Sequence, residues 1–191
     1  YVDVLNLLPK GHSDRSWVSE TVRQMCDFLL SVTHPGNRIA LFNDATRKGS
    51  CSTKELLMYG ERVLNLQPER RSRFDETGYY IHASDDAYLI IDGGPIGPDY
   101  LPAHAHADIF SYELSVDGIL FVVDSGVYEY EAGDMREYAR STRAHNTVCV
   151  DGEDQAECWD SFRVARRYPP RTVSFEEQEE GGVFEGTLDG Y

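Results

Sequence analysis

"HAHADIFSYELSVDGILFVVDSG", residues 104–126, holds two patterns at once. From Phe110 through Tyr112, Leu114 and Val116 the even positions are apolar, while Ser111, Glu113, Ser115 and Asp117 are polar. That period of two is the signature of a β-strand, whose side chains alternate between faces. Asp117 and Gly118 form a tight-turn signal ahead of the apolar run "ILFVV", so the stretch reads as a hairpin. Extending the strand phase backwards puts His104, His106 and Asp108 on the inward, apolar side. Buried imidazoles and carboxylates are costly unless paired or metal-bound, and a structural hydrogen-bonded cluster and a metal site both meet that demand.

The same period continues on either side. After residue 75, "GYYIHAS", "AYLIIDGG", "NTVCVDGED", "RTVSFEEQ" and "GVFEGTL" are short strand-like runs separated by turn residues. Repeated strands with no helical pattern between them predict antiparallel pairing, and a β-sandwich is the expected architecture for residues 75–191. Residues 1–74 differ. Val18, Val22, Met25 and Leu29, then Leu56, Tyr59, Val63 and Leu66, recur at helical spacing. Ser52 and Glu55 form a capping-box pattern at the start of the second helix. "THPGN" marks a turn and "RIALFNDATRKG" an irregular connection. Two helices with so little apolar surface do not fold alone, so they read as the end of a larger helical domain. The chain starts at Tyr1 without an initiator methionine and ends just after "FEGTLDG", and both ends read as cuts.

The 191 residues carry a net charge of −15, which argues against nucleic-acid or anionic-membrane binding. No run approaches the length of a membrane span. Cys26, Cys51, Cys149 and Cys158 show neither CxxC pairing nor zinc-ribbon spacing, leaving two disulfides or four ordinary thiols open.

Two more residues bear on the histidine pair. Asp124 follows the apolar run "ILFVV", and His145 stands in "STRAHNTVCV" before another expected strand. Imidazole nitrogens with a carboxylate oxygen suit zinc, and three protein ligands leave a fourth position open. The hairpin would pair Asp124 near Phe110, so His106 and Asp124 become neighbours only if the chain bends before Phe110. A cupin reading of the HxH pattern fails, because Glu113 lies too far beyond His106.

The order of "HAHAD", "VVDSG", "RSTRAHNTV" and "DGEDQ" resembles the heparinase II/III family of polysaccharide lyases, over most of residues 75–170. Upstream, "MCDFLLSVTHPGNRIALFNDA" is similar to the end of that family's helical toroid. The resemblance implies a mainly β fold, an incomplete antiparallel β-sandwich (75–191) preceded by the last helices of an (α/α) toroid (1–74). It implies β-elimination at a uronic acid of an anionic polysaccharide, in the periplasm or outside the cell. By matching motif, His104 resembles the active-site histidine, while His106, Asp124 and His145 resemble the ligands of a zinc ion. Asp108 is read either as orienting an imidazole or as a plain strand-start carboxylate. Arg136, Arg140 and Arg143 cluster near His145, and Arg140, within the matched motif, is the expected substrate contact. Tyr128 and Tyr130 read as packing residues. The toroid's own tyrosine and carboxylate-neutralising partner would lie upstream of Tyr1. The alternatives are a non-catalytic carbohydrate-binding sandwich and a metal-dependent sugar hydrolase.

Overall fold

The computed structural model describes residues 1–47, 51–178 and 181–191. Lys48 and Gly49, at the end of the expected irregular connection, lie outside them. The chain divides into two compact units, Tyr1–Ile39 with Arg47–Arg71, and Ala40–Thr46 with Ser72–Tyr191. The division falls near the residue where the hydrophobic period changes, but a short piece from the middle of the helical region joins the strand-rich unit.

The first unit carries helices α1 (Val2–Leu7), α2 (Arg15–Ser31) and α3 (Thr53–Leu64), and the small hairpin of β1 (Thr33–His34) and β2 (Arg38–Ile39). The hairpin turns through Gly36 and Asn37, both at positive φ, within the "THPGN" signal. The α3 capping box is present: the Ser52 side chain accepts from the Glu55 amide while Glu55 accepts from the Ser52 amide. This satisfies two first-turn donors that helical geometry leaves open. Leu5, Val18, Val22 and Cys26 form the buried core. Met25, Leu56 and Tyr59 remain 40–50 % exposed along an apolar groove of about 530 Å³. Asp27 is buried but paired with Arg23 at 2.7 Å and Arg71 at 2.9 Å, so its charge is compensated.

The second unit is mostly antiparallel sheet, consistent with a β-sandwich. Its main sheet has five strands in order: β3 (Arg73–Phe74), β4 (Tyr79–Ala83), β5 (Ala87–Asp92), β6 (Tyr112–Val116) and β7 (Ile119–Val122). Helix α4 (Asp134–Arg140), a single 3-10 turn over Thr142–Ala144 and the pair β8 (Cys158–Trp159) and β9 (Arg163–Val164) follow. The hairpin of β10 (Thr172–Gln178) and β11 (Gly181–Thr187) packs on the main sheet through aromatics, with Tyr80 5.6 Å from Phe175 and 5.4 Å from Phe184 between ring centroids. Gly78 and Gly94 allow a close backbone approach at one end of the sheet, since a Cβ on Gly94 would collide with the Thr77 carbonyl.

The β6–β7 hairpin turns at Asp117 and Gly118 as expected, both at positive φ. Its register then slips by one residue: Ser115 faces Leu120 but Leu114 faces Val122. The alternation along β6 is correct but its faces are reversed. Ser111, Glu113 and Ser115 are the buried residues, while Tyr112 and Val116 are more than a third exposed. Glu113 pairs with Ile90 in the sheet and accepts from the Leu41 and Asp124 amides, so polar side chains line an internal hydrogen-bonded layer. A polar face can be the buried one when its groups are hydrogen-bonded inside, so polarity alone does not orient this strand.

Two further expectations are corrected. "HAHAD" is an irregular segment and not the start of a strand, and residues 105–109 are all buried while His104 is exposed. "NTVCVDGED" contributes only the isolated Val150–Glu153 bridge, around Asp151 and Gly152 at positive φ.

Candidate active site

The histidine segment is held from three directions. Arg140 lies inside, 1 % exposed, and its guanidinium donates twice to the Ala105 carbonyl, at 3.1 and 3.0 Å. It also reaches the Trp159 and Asp160 carbonyls. The Ala107 amide returns a bond to the Arg140 carbonyl at 3.0 Å. Arg140 therefore clamps the segment that carries the histidines: its donors lie on backbone carbonyls, where a contact with substrate was expected. Arg143 is the exposed member of the arginine trio, lying over the Tyr138 ring.

From the second direction, Thr142 and Gln155 tie the motif around His145 to "DGEDQ". The Gln155 amide donates to Thr142 Oγ1 at 2.9 Å, Asp154 accepts from the Thr142 amide at 2.8 Å, and the Gln155 side chain reaches the Ile109 carbonyl. These bonds join the two motifs in space.

The third support is the segment 40–46. Asn43 Oδ1 accepts the His106 amide at 2.9 Å, and its own amide donates to Asp108 Oδ2 at 3.3 Å. Asp44 is the centre of the site. Its Oδ2 lies 2.8 Å from His104 Nδ1 and its Oδ1 2.8 Å from His106 Nε2. Arg136, fully buried on α4 one turn before Arg140, donates to both oxygens of the same carboxylate. Burial alone would raise the Asp44 carboxyl, but bonds from His106, Arg136 and His104 hold it well below the usual carboxylate range. Nothing in the sequence singled out Asn43 or Asp44. They sit in an irregular connection, about sixty residues from the histidines they hold.

His104 remains open, with a side chain 64 % exposed. Phe162 and Tyr130 stand beside it, at 5.5 and 6.5 Å between ring centroids, and Arg136 lies under both aromatic rings at 5.4 Å. His106 turns the other way. Its side chain is wholly buried, its ring centroid is 5.2 Å from that of His145, and its Nδ1 has no hydrogen-bond partner.

Asp124 and His145 complete the interior. His145 Nδ1 is 2.8 Å from Asp124 Oδ2, which also accepts from Ser111 Oγ at 3.1 Å. The chain bends at Phe110, at φ 65°, and this turn brings Asp108 and Ser111 against the sheet end where Asp124 lies. Burial pushes Asp108 up to about 7, and Asp92 beside it is also raised by burial and by Asp108. Burial disfavours a charged His145, yet the Asp124 bond and the nearby Asp108 outweigh it and its pKa is raised.

Of the expected metal ligands, Asp124 and His145 are in direct contact and the His106 ring is adjacent. Among the described residues no three His, Cys, Asp or Glu side chains already stand as a metal cage. The donor chemistry nevertheless fits such an ion: His106 Nδ1 and His145 Nε2 are buried ring nitrogens without partners, next to a carboxylate.

Fold and site together define a class: an antiparallel-sheet domain with an exposed histidine backed by a buried carboxylate, arginine and histidine network. Residues 66–191 match the family described as Heparinase II/III-like, C-terminal, and the chain belongs to that family. No curated protein matches the sequence. Among solved structures, the chain is similar to a heparinase III gene product at 18 % identity and TM-score 0.68, covering 90 % of this chain and 28 % of that one. It is similar to another heparinase III at 20 % identity and TM-score 0.59, covering 94 % and 31 %. It is also similar to the heparan sulfate lyase HepC from Pedobacter heparinus at 19 % identity and TM-score 0.64, covering 100 % and 33 %. The chain thus spans about a third of the length of these structures, and at such identities the likeness is one of fold. Among the described residues no helix is long and apolar enough to cross a membrane.

Proposed function

We propose that this chain is the sheet-side part of a polysaccharide lyase that cleaves a uronic-acid-containing anionic polysaccharide by β-elimination. The observation that carries the reading is His104: an exposed imidazole whose Nδ1 is held on the Asp44 carboxylate, so that its other nitrogen is open. Family membership and the names of the similar structures support a glycosaminoglycan of the heparan sulfate kind as the substrate class. The reading implies a periplasmic or extracellular location, where such polymers occur. It also treats the helical unit as the end of an (α/α) toroid, for which the exposed Met25, Leu56 and Tyr59 are support.

Elimination requires that the C5 proton leave and the C5–H electron pair become the C4–C5 double bond. O4 then departs with its bonding pair and takes up a proton. His104 is placed to exchange or hold a proton at Nε2 beside the sugar, and Asp44 stabilises the imidazolium at Nδ1. Tyr130 and Phe162 flank the ring as apolar neighbours. His106, Asp124 and His145 would hold a zinc ion. Its chemistry would be structural, neutralising the buried carboxylate and fixing the loops.

The test is to give the full-length protein heparan sulfate, heparin and alginate and to follow the ultraviolet absorbance of unsaturated uronate. Sustained absorbance with one of them supports the lyase reading. Reducing ends appearing without unsaturation would make the protein a hydrolase, and binding without turnover a carbohydrate-binding module. The 191-residue chain alone is expected to be inactive, because the remaining acid–base groups must be positioned with His104 and loss of positioning removes orders of magnitude in rate.

A further inference from the structure

The geometry points to Asp44 as a positioning residue that sets opposite tautomers in His104 and His106, and so decides which imidazole works outward and which inward. Only the catalytic consequence rests on the lyase reading above.

The two carboxylate oxygens are divided between the two rings. Oδ2 faces Nδ1 of His104 and Oδ1 faces Nε2 of His106, each at 2.8 Å. Arg136 donates to both oxygens from its fully buried position, which keeps the carboxylate anionic. An ionised carboxylate accepts and never donates, so the ring nitrogen facing it carries the proton. In the neutral rings His104 is then protonated on Nδ1 and His106 on Nε2. The lone pairs are left on opposite atoms: Nε2 of the 64 % exposed His104, and Nδ1 of His106, buried without a partner beside the His145 ring.

The histidines are two residues apart on one irregular segment, so a single carboxylate reaches both rings and biases each toward one tautomer. The opposite choice would point the His104 lone pair at a carboxylate and leave no acceptor toward substrate. Asp44 touches no substrate in this scheme. It acts through the histidines, in the manner of the partners that orient imidazoles around metal and catalytic sites.

The experiment is nitrogen NMR on the full chain with isotope-labelled histidine, at mildly alkaline pH where a neutral ring has one protonated nitrogen. Signals are assigned with His104→Asn and His106→Asn. The expected spectrum has Nδ1 protonated in His104 and Nε2 protonated in His106. A His104 ring protonated on Nε2, or two rings of the same tautomer, overturns the assignment, and this needs no Asp44 variant to fold. In the full-length protein Asp44→Asn, whose amide can no longer accept on both sides, is expected to lower kcat by about tenfold to a hundredfold. KM should stay within about twofold, as for a group acting on the reacting centre and not on uniform binding. An unchanged kcat would overturn the positioning role. Failure of the unaltered protein to eliminate from any uronate polymer would overturn the lyase reading, and the NMR spectrum would still decide the tautomers.

Discussion

His145 Nδ1 stands 2.8 Å from Asp124 Oδ2, and neither side chain is exposed to solvent. Around this pair Ser111 and Gly126 supply two more donors to the same carboxylate, at 3.1 and 2.9 Å. Asp124 is thus the acceptor on which the β7 end, the bend after Phe110 and the loop of His145 converge. Buried polar groups of this kind do little for stability while satisfied, but removing one partner strands the others in a low-dielectric interior.

Asp124→Ala is therefore expected to cost about 3 kcal/mol or more, seen as a Tm lower by about 6–12 °C in a chain of this size. His104→Ala should cost about 1 kcal/mol or less, because the ring is exposed and Asp44 keeps Arg136 and His106. The same variant should abolish turnover in the full-length protein. Equal destabilisation by the two changes would show that the roles of His104 and Asp124 are misassigned.

Elemental analysis of protein purified without a histidine tag is expected to show one zinc ion per chain, held by His106, Asp124 and His145. A chelator should lower the Tm of the unaltered chain and leave that of His106→Ala unmoved, since a bound metal contributes to folding. Folded protein with no stoichiometric metal after zinc is supplied would leave the interior as a hydrogen-bonded cluster only.

The four cysteines are all free thiols and should separate by reactivity. Cys51 and Cys149 are exposed, whereas burial pushes Cys158 up to about 11 and raises Cys26 as well. Because the thiolate is the nucleophile, Cys26 and the half-buried Cys158 stay protonated and unreactive near neutral pH. A chromogenic disulfide reagent should titrate two thiols promptly in the folded chain and the other two only after denaturation. Fast release from all four would mean that the interior around Cys158 opens readily.

Gly94→Ala should destabilise by about 2–3 kcal/mol, because the added Cβ meets backbone that cannot move aside as a side chain can. The change breaks the approach in which the Gly93 amide donates to the Gly78 carbonyl at 2.8 Å. A thermal or urea melt decides it, and a loss below about 1 kcal/mol would show that the glycine pair is not closely packed.

What the sequence determined by itself was local. Period-two runs located β4, β5, β6, β7, β10 and β11, Asp117–Gly118 located the tight turn, and Ser52 with Glu55 located the start of α3, because each signal lies within a few residues of its effect. The motif order around "HAHAD" was enough to reveal the family that residues 66–191 match. Only the tertiary structure decided which face of β6 is buried, since its inward polar side chains are satisfied by distant partners, Glu113 by the Leu41 and Asp124 amides, that no local pattern reveals. It decided that Arg140 turns inward onto Ala105, because a guanidinium reads the same in sequence whether it meets a substrate or a buried carbonyl. And it alone brought in Asp44: one acid among 33 Asp and Glu residues carries no local mark. Its meaning comes entirely from the fold, which lays residues 40–46 against two histidines and an arginine distant in the chain.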